Sequence, residues 1–168
     1  MRLVDRSVAV LAAGGPEPVF VVVGAAAVGH VDALVVHNDQ WRTGMGSSLR
    51  AGLAAISTYD RTVAPRDAVV ILLVDHVEVA PECVGRVMAA TAAGARVAVA
   101  TYDGVRGHPV VLRRDDWPEV ISSAQGDSGA RDFLTRHAET VVEVPCEDIG
   151  SNADVDTPAD LAAARALH

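Results

Sequence analysis

AVVILLVDH, at residues 68–76, is the stretch of sequence that decides the fold. Its first seven residues are all apolar, and no polar residue stands at alternate positions. A strand covered on one face alternates apolar and polar residues, so this continuous run predicts a strand buried on both faces, as in a parallel sheet flanked by helices. The carboxylate of Asp75 follows at the end of the strand, where open α/β sheets bind their ligands. The stretch therefore predicts an α/β fold with a ligand site near Asp75.

Apolar runs and helical patterns alternate along the rest of the chain, as βα units require. Half of the 168 residues are hydrophobic, and no repeat, low-complexity tract or long linker interrupts them. We predict one Rossmann-like three-layer domain over residues 1–168 with a mostly parallel central sheet. The predicted strands are Val19–Val23, Leu34–His37, Ala68–Val74, Val97–Tyr102, Pro109–Leu112 and Thr140–Val144. The predicted helices are Leu3–Ala13, Ser48–Ile56, Pro81–Ala93, Ser128–His137 and Pro158–Leu167.

The composition excludes several classes of function. A formal net charge of -8 disfavours nucleic-acid binding, which needs a positive surface. All 14 basic residues are arginine, so no lysine is available for chemistry. Cys83 and Cys146 form no CxxC motif and are predicted to be reduced core thiols. No apolar run approaches the roughly 18 residues of a membrane span and no signal-peptide core follows the first residues, so we expect a cytoplasmic protein.

Two acidic segments are candidate ligands for a divalent cation. Asp75 ends a strand, and Asp154 and Asp156 alternate in the tail NADVDTP, residues 152–158. Alternate residues of an extended segment point to one side, so these carboxylates are predicted to converge with Asp75. Magnesium binds through one or two carboxylates together with substrate phosphates. The alternative that stays open is that these residues only form turns and helix caps.

Three glycine-containing loops are candidate ligand contacts. Asn38 and GMGSS, residues 44–48, precede a helix whose free N–H groups suit an anion or the edge of a base, although Ser47 as a simple cap fits equally well. GVRGHP, residues 104–109, joins two predicted strands and places His108 beside glycines that let a ligand approach. QGDSGAR, residues 125–131, places a cap before a helix bearing Arg131, a candidate anion ligand. A hairpin turn and a capped loop are the respective alternatives.

In order and spacing these motifs resemble the MobA-like nucleotidyltransferases, and within them the molybdenum cofactor cytidylyltransferases. The resemblance extends from residue 3 to residue 165. It rests on Val19–Gly24, Asn38, Trp41, Gly44, Ser48-Leu49, Gly52-Leu53, Asp75, Gly107-His108-Pro109, residues 126–131, residues 154–158 and Asp160.

The resemblance implies transfer of a nucleotide from CTP to phosphorylated molybdopterin, with release of pyrophosphate and with Mg2+ as cofactor. It also implies a molybdoenzyme or its chaperone as a protein partner. It puts magnesium on Asp75 and Asp156. It puts the nucleotide at Asn38, Gly44, Ser47, Ser48 and Gly52, and the acceptor at His108, Gly126, Asp127, Gly129 and Arg131.

The sequence departs from the family pattern at two places. The opening strand and the LAAGxSxRMGxxK loop have no counterpart, because Leu3–Ala13 matches the helix that follows them. We therefore expect the first strand of the sheet to be absent, assign no catalytic residue, and expect turnover only with that segment restored. The usual Asp-Gln-Pro is replaced by Asp75-His76-Val77, which alters the turn. Two alternatives follow: a catalytically inactive nucleotide- or pterin-binding protein, or a guanylyltransferase for another phosphorylated acceptor.

Overall fold

The structure is a computed structural model that describes residues 1–63, 65–157, 159, 160 and 162. Helices and strands alternate along it, with 3-10 turns at Trp41–Thr43 and Arg114–Asp116. The helices are α1 Leu3–Gly14, α2 Met45–Tyr59, α3 Pro81–Ala92, α4 Trp117–Ser123 and α5 Arg131–Arg136. The strands are β1 Phe20–Val23, β2 Leu34–His37, β3 Ala68–Ile71, β4 Val97–Tyr102, β5 Val105–Arg113 and β6 Val141–Pro145.

The described strands form two groups. β1 and β2 pair in parallel, and the second group has the order β3-β5-β4-β6. β5 is antiparallel to both β3 and β4, whereas β4 and β6 are parallel. It follows that β3, β4 and β6 run in one direction and that β5 alone of these four is reversed. The predicted Rossmann-like α/β class with a mostly parallel sheet is confirmed.

β5 is reversed because a tight turn joins it to β4. Asp103 and Gly104 have φ of 51° and 76°, and positive φ at both central residues is typical of a type I′ hairpin turn. The predicted strand Pro109–Leu112 is therefore part of a longer one, Val105–Arg113. Gly107 and His108 lie inside β5, so the loop predicted at these residues is part of a strand, whereas their contact with a ligand stays a prediction.

A gap separates the two groups of strands. β1 lies on one side and β3 on the other, and an open cavity of about 1020 Å³ between them is lined by both strands and by residues of α1 and α2. One edge of β1 and one edge of β3 are thus unpaired among the described strands, and both line this cavity.

The two faces of the sheet pack against different helices. Along β4, Ala98 and Ala100 belong to the core shared with α1 and α3, whereas Val97 and Val99 belong to the core shared with α2, α4 and α5. All six residues of β4 are buried. The fold is therefore built in three layers, with helices on both sides of the sheet, and the continuous apolar runs are explained by this double cover.

Several boundaries differ from the prediction for tertiary reasons. α2 begins at Met45 rather than Ser48 because the loop at residues 126–127 hydrogen-bonds the amides of its first turn. α5 begins at Arg131 rather than Ser128 because residues 125–131 form turns in which Gly126 and Gly129 have positive φ. The spacing of apolar residues indicates whether a segment is a helix or a strand. It does not indicate the tertiary contacts that lengthen or shorten that element.

The short helix α4 was missed by the sequence prediction. It has only seven residues and begins at Trp117. Its stability comes from packing, since Trp117 is 3% exposed and Val120 is fully buried. The indole Nε1–H of Trp117 also donates to the carbonyl of Leu112 at 3.2 Å. Because these contacts are with distant residues, the sequence of α4 shows little of the periodic apolar pattern that predicts a helix.

The predicted helix Pro158–Leu167 lies mostly outside the described residues. Its cap is described: the amide and hydroxyl of Thr157 donate to Asp160 Oδ2 at 2.8 and 2.7 Å, and the amide of Asp160 donates to Thr157 Oγ1 at 3.2 Å. This reciprocal pattern is a capping box. In the part of the chain that the structure describes, no helix has the length and apolar character needed to cross a membrane.

Candidate functional site

The centre of the candidate site is the turn after β3, where Asp75 lies half-buried. Its Oδ1 atom is buried and has no hydrogen-bond partner among the described residues. A buried carboxylate oxygen without a partner is unfavourable, so a cation or a donor on a ligand would stabilise this atom. The amide of Val155 donates to the carbonyl of Asp75 at 3.1 Å, which holds the tail segment against this turn.

Asp156 follows that backbone contact by one residue and is exposed. The structure thus brings the two predicted metal ligands into one region, although their shared coordination of a cation remains a prediction. Among the described residues, no three His, Cys, Asp or Glu side chains converge as a ready-made cage. Asp75 and Asp156 fit a hard cation of the magnesium type, which takes one or two carboxylates and completes its coordination with water and substrate phosphates.

His108 lies across from this turn, on β5. Its Nδ1–H donates to the carbonyl of Ile71 at 3.2 Å, which leaves Nε2 as an acceptor. Burial is the main cause that lowers the pKa of His108, and the ring of His76, 5.0 Å away, acts in the same direction; the Ile71 hydrogen bond and Asp75 oppose them, and the resulting pKa is about 4. The imidazole is neutral at pH 7. It can therefore accept a hydrogen bond from a ligand but does not neutralise a phosphate.

Asn38 and Ser47, two of the predicted nucleotide contacts, are held inside the protein. The amide Nδ2 of Asn38 donates to the hydroxyls of Ser47 and Ser48 at 2.8 and 3.0 Å, and its Oδ1 accepts from the amide of Gln40 at 3.0 Å. Asn38 is 6% exposed and Ser47 is 3% exposed. Asn38 holds the hydroxyl of Ser48, and Ser48 and Gly52 line the cavity.

The amides at the start of α2 are already occupied. The amide of Met45 donates to the carboxylate of Asp127 at 3.3 Å, and that of Gly46 donates to the carbonyl of Gly126 at 2.8 Å. A Cβ atom on Gly44 would stand 2.4 Å from the carbonyl oxygen of Gly126, so the two loops touch directly. The free N–H groups expected at this helix start are therefore not free, because Asp127 occupies the positive end of the helix.

The cavity joins residues that the sequence predicted separately. Ser48 and Gly52 from the predicted nucleotide set line it together with His108, Asp127, Gly129 and Arg131 from the predicted acceptor set. The exposed guanidinium of Arg131 gives this wall a positive group. Gly44 and Gly126 instead support the contact between the two loops.

Sequence reasoning missed two wall residues, His76 and Asn152. His76 is 8% exposed and packs against the His108 ring. Asn152 Oδ1 lies against Gly107, where a Cβ atom would be only 2.0 Å away. The position of His76 directly after Asp75 was a signal that could have identified it; for Asn152, no signal short of the tertiary contact existed.

Residues 1–141 match the family model described as the MobA-like NTP transferase domain. The chain belongs to this family. A relative from Paenarthrobacter nicotinovorans, named nicotine blue oxidoreductase, is 32% identical over 168 residues, which is 92% of this chain and 78% of that protein.

Solved structures share the fold of this MobA-like chain. A manganese complex of Rv0371c from Mycobacterium tuberculosis has a TM-score of 0.72 and 23% identity, covering 96% of this chain and 85% of that chain. The 2-C-methyl-D-erythritol 4-phosphate cytidylyltransferase of Thermus thermophilus has a TM-score of 0.66 and 18% identity, covering 98% and 88% respectively. At such identities the likeness shows the fold alone.

Proposed function

We propose that this protein is a nucleotidyltransferase that moves a nucleoside monophosphate, CMP from CTP, onto a phosphorylated acceptor such as molybdopterin. In the proposed reaction an oxygen of the acceptor phosphate bonds to the α-phosphorus of the nucleotide, and the bond to the β-phosphate breaks to release pyrophosphate. The observation that carries the proposal is the unpartnered Oδ1 of Asp75 in the turn after β3, next to a cavity lined by Ser48, His108 and Arg131. Membership of the MobA-like family supports it.

The nucleotide would lie on the α2 side of the cavity. Ser48 offers a hydroxyl there, and Gly52 lets a ligand approach the helix because it carries no side chain. Asn38 and Ser47 would act through Ser48, since their polar groups bond within the protein. The hydroxyl that contacts the base would thus be held in place before the nucleotide binds, which favours correct orientation of the nucleotide.

Asp75 and Asp156 would hold a magnesium ion. When bound, the ion would neutralise part of the negative charge of the phosphates. Nucleotidyl transfer is mainly positioning and charge neutralisation, so the side chains need not move protons. The guanidinium of Arg131 suits a phosphate, because its planar donors match two oxygens. Neutral His108 would accept a hydrogen bond from an N–H or O–H group of the acceptor.

Pyrophosphate release tests the proposal. Each nucleoside triphosphate would be combined with molybdopterin and Mg2+ or Mn2+, both for residues 1–168 and for a form that carries the family's LAAGxSxRMGxxK segment. We expect CTP-dependent release from the second form. Asp75→Asn should lower the rate by roughly 100-fold, by analogy with the loss of one charge-stabilising group.

Asp32→Asn is the matched control for Asp75→Asn. Asp32 is exposed, lies two residues before β2 and is not among the residues that line the cavity. Equal loss in both variants would contradict the role of Asp75. Nucleotide binding without pyrophosphate release from any triphosphate would instead favour the binding-protein alternative, and release from GTP alone would favour a guanylyltransferase.

A second candidate function is reduction of a nitrogen-containing pigment. It rests on the name of the 32% identical relative, nicotine blue oxidoreductase, which matches 92% of this chain. The largely apolar strand walls of the cavity and the neutral imidazole of His108 suit an uncharged heterocyclic ring as well as they suit a pterin.

Anaerobic bleaching of nicotine blue distinguishes the second candidate from the first. NADH and NADPH would serve as electron donors, and pyrophosphate release would be measured in parallel on the same preparation. Bleaching above the rate without protein, with no pyrophosphate release, would favour the oxidoreductase. Bleaching at the background rate would exclude it for these donors.

A further inference from the structure

The segment at residues 146–156, which we call the connector, leads from β6 to Asp156. Asp156 is exposed, and its carboxylate makes no hydrogen bond or ion pair with the described residues. Its location therefore depends on how the backbone of the connector is held. The contacts of the connector with the rest of the chain decide whether Asp156 can share a cation with Asp75.

The connector is tied to α3 at its beginning. The guanidinium of Arg86 donates to both carboxylate oxygens of Asp148, each at 2.6 Å, and to the carbonyl of Pro145 at 3.0 Å. The side chains of Arg86 and Asp148 are 40% and 59% exposed, so water screens this ion pair. A pair of this kind guides the chain but fixes it weakly, and a firmer contact has to lie nearer to Asp156.

The hydroxyl of Ser151 provides such a contact. It donates to Glu78 Oε2 at 2.6 Å and accepts from the amide of Ala153 at 3.1 Å. Hydrogen bonds from a hydroxyl to a carboxylate are among the strong ones, because the acceptor is charged. One hydroxyl thus joins the connector to another segment and also sets the backbone shape of the residues that lead to Asp156.

Glu78 is itself held in place between β3 and α3. The guanidinium of Arg6 donates to the neighbouring carbonyl of Val79 at 3.4 Å. Burial lowers the pKa of Arg6, and the nearby carboxylate of Glu78 acts in the opposite direction. A Cβ atom on Gly150 would stand 2.8 Å from the carbonyl oxygen of Glu78, so the connector touches this residue directly. The acceptor of the Ser151 hydroxyl therefore has a fixed position.

A second contact joins the connector to the same turn. The amide of Val155 donates to the carbonyl of Asp75 at 3.1 Å. Asp75 and Glu78 both lie between β3 and α3, and Ser151 and Val155 both lie in the connector. The two hydrogen bonds therefore align one segment with the other, and Asp156 follows directly after the second.

We propose that Ser151 and Glu78 are positioning residues for the cation shared by Asp75 and Asp156. Their hydrogen bond would hold the connector so that the Asp156 carboxylate stays within reach of an ion bound at Asp75. This inference rests on the proposed function, because it uses the metal ligands assigned there. Neither residue would contact the ion. Residues that orient metal ligands in this way typically change metal affinity by about 10- to 100-fold when they are replaced.

Mn2+ binding tests the proposal without enzyme activity. Free Mn2+ would be measured by electron paramagnetic resonance in titrations of the 168-residue protein and its variants. Ser151→Ala should raise the Kd for Mn2+ about tenfold, and Ser151→Thr, which keeps the hydroxyl, should restore most of the affinity. Ser122→Ala is the matched control, since Ser122 is exposed on α4, bonds only to the carbonyl of Glu119 and does not line the cavity.

A double substitution separates positioning from a general structural effect. If Ser151 acts through Asp156, adding Ser151→Ala to Asp156→Asn should change the Kd by less than about twofold. Hydrogen exchange at the Val155 amide should be at least about fivefold faster in Ser151→Ala, while exchange at Ala98 in β4 stays the same. Glu78→Leu removes the acceptor from the other side and should reproduce both changes, so the test does not depend on the folding of one variant.

The outcomes distinguish this inference from the proposed function. Mn2+ binding that is equal in the unsubstituted protein and in Ser151→Ala would overturn the inference and leave the metal assignment intact. A full tenfold effect of Ser151→Ala in the Asp156→Asn protein would also overturn it, because Ser151 would then act by another route. Absence of Mn2+ binding in the unsubstituted protein would contradict the metal assignment itself, and the inference with it.

Discussion

β4 and β2 have similar sequences, VAVATY and LVVH, but opposite surroundings. All six residues of β4 are buried, whereas Leu34 and Val35 of β2 are 40% and 38% exposed. β4 pairs with strands on both sides and has helices on both faces, while β2 pairs with β1 alone among the described strands. The burial of a valine-rich strand is therefore set by its neighbours and not by its composition.

A matched pair of leucine substitutions should show the largest effect of this difference. Leu112 of β5 is 0% exposed, so Leu112→Ala should lower the free energy of unfolding by about 3 kcal/mol through lost burial and a cavity. Leu34→Ala in β2 should change it by less than about 0.5 kcal/mol. Urea unfolding followed by circular dichroism measures both values. Equal losses would show that β2 is covered in solution.

Asp60 joins the two regions, because it ends α2 and pairs with Arg66 at 2.9 Å and with Arg114 after β5. Asp60→Asn should lower the free energy of unfolding by about 2 kcal/mol at pH 7. This is less than for a fully enclosed pair, because the two arginine side chains are 32% and 33% exposed and water screens them.

The loss on Asp60→Asn should depend on pH. Burial raises the pKa of Asp60, but hydrogen bonds from Arg114 and Arg66 outweigh it and hold the pKa below its ordinary value. The contribution of the carboxylate is complete above its unfolded pKa of about 4 and is lost as the pH falls through the lower folded value. Parallel urea titrations of both proteins should converge toward pH 2. A constant difference there would assign the loss to packing.

His108 should cause a smaller dependence of stability on pH. This dependence is expected for a histidine in the four-stranded group but not for one in β2. Its folded pKa of about 4 lies below the ordinary 6.5, so between these values the unfolded chain binds a proton that the folded chain does not. Stability should therefore fall by roughly 2 kcal/mol as the pH decreases from 6.5 to 4, and His108→Asn should flatten this part of the profile. The control His37→Asn, at an exposed position in β2, should leave the profile unchanged.

Two glycines in neighbouring helices give the smallest expected effect. A Cβ atom on Gly14 of α1 would stand 2.4 Å from Val84 Cβ, whereas one on Gly85 of α3 would meet nothing within 4 Å. Gly14→Ala should destabilise the protein by about 1 kcal/mol through this clash, less the gain in helix propensity. Gly85→Ala should stabilise it by about 0.5 kcal/mol. Thermal melts of the two variants should therefore shift in opposite directions.

The strands whose bounds were predicted correctly are those in which the apolar run ends directly at turn residues. Leu34–His37 and Val97–Tyr102 have the predicted bounds, because their apolar residues are followed directly by polar or glycine-containing turns. The strand around His108 was predicted too short, since its first half is polar and exists through pairing with β4. Pairing energy is not visible in a local pattern.

The candidate site was only partly predictable for the same reason. A carboxylate after a buried apolar run identified Asp75, because strand ends and ligand sites coincide in this class of fold. The occupied amides at the start of α2 were not predictable, since Met45 and Asp127 are 82 residues apart. The contact between the rings of His76 and His108 likewise depends on how β3 and β5 pair.

By itself the sequence determined the α/β class, the order of most helices and strands, and the position of Asp75 shortly after a buried strand, although that strand ends at Ile71 and not at the predicted Val74. These features follow from apolar periodicity and from residues that start or stop an element, and both act over a few neighbouring positions. Only the tertiary structure decided the reversal of β5, the gap between β1 and β3, and the loop that covers the start of α2. Those features depend on backbone pairing and packing between distant segments, which local sequence does not encode.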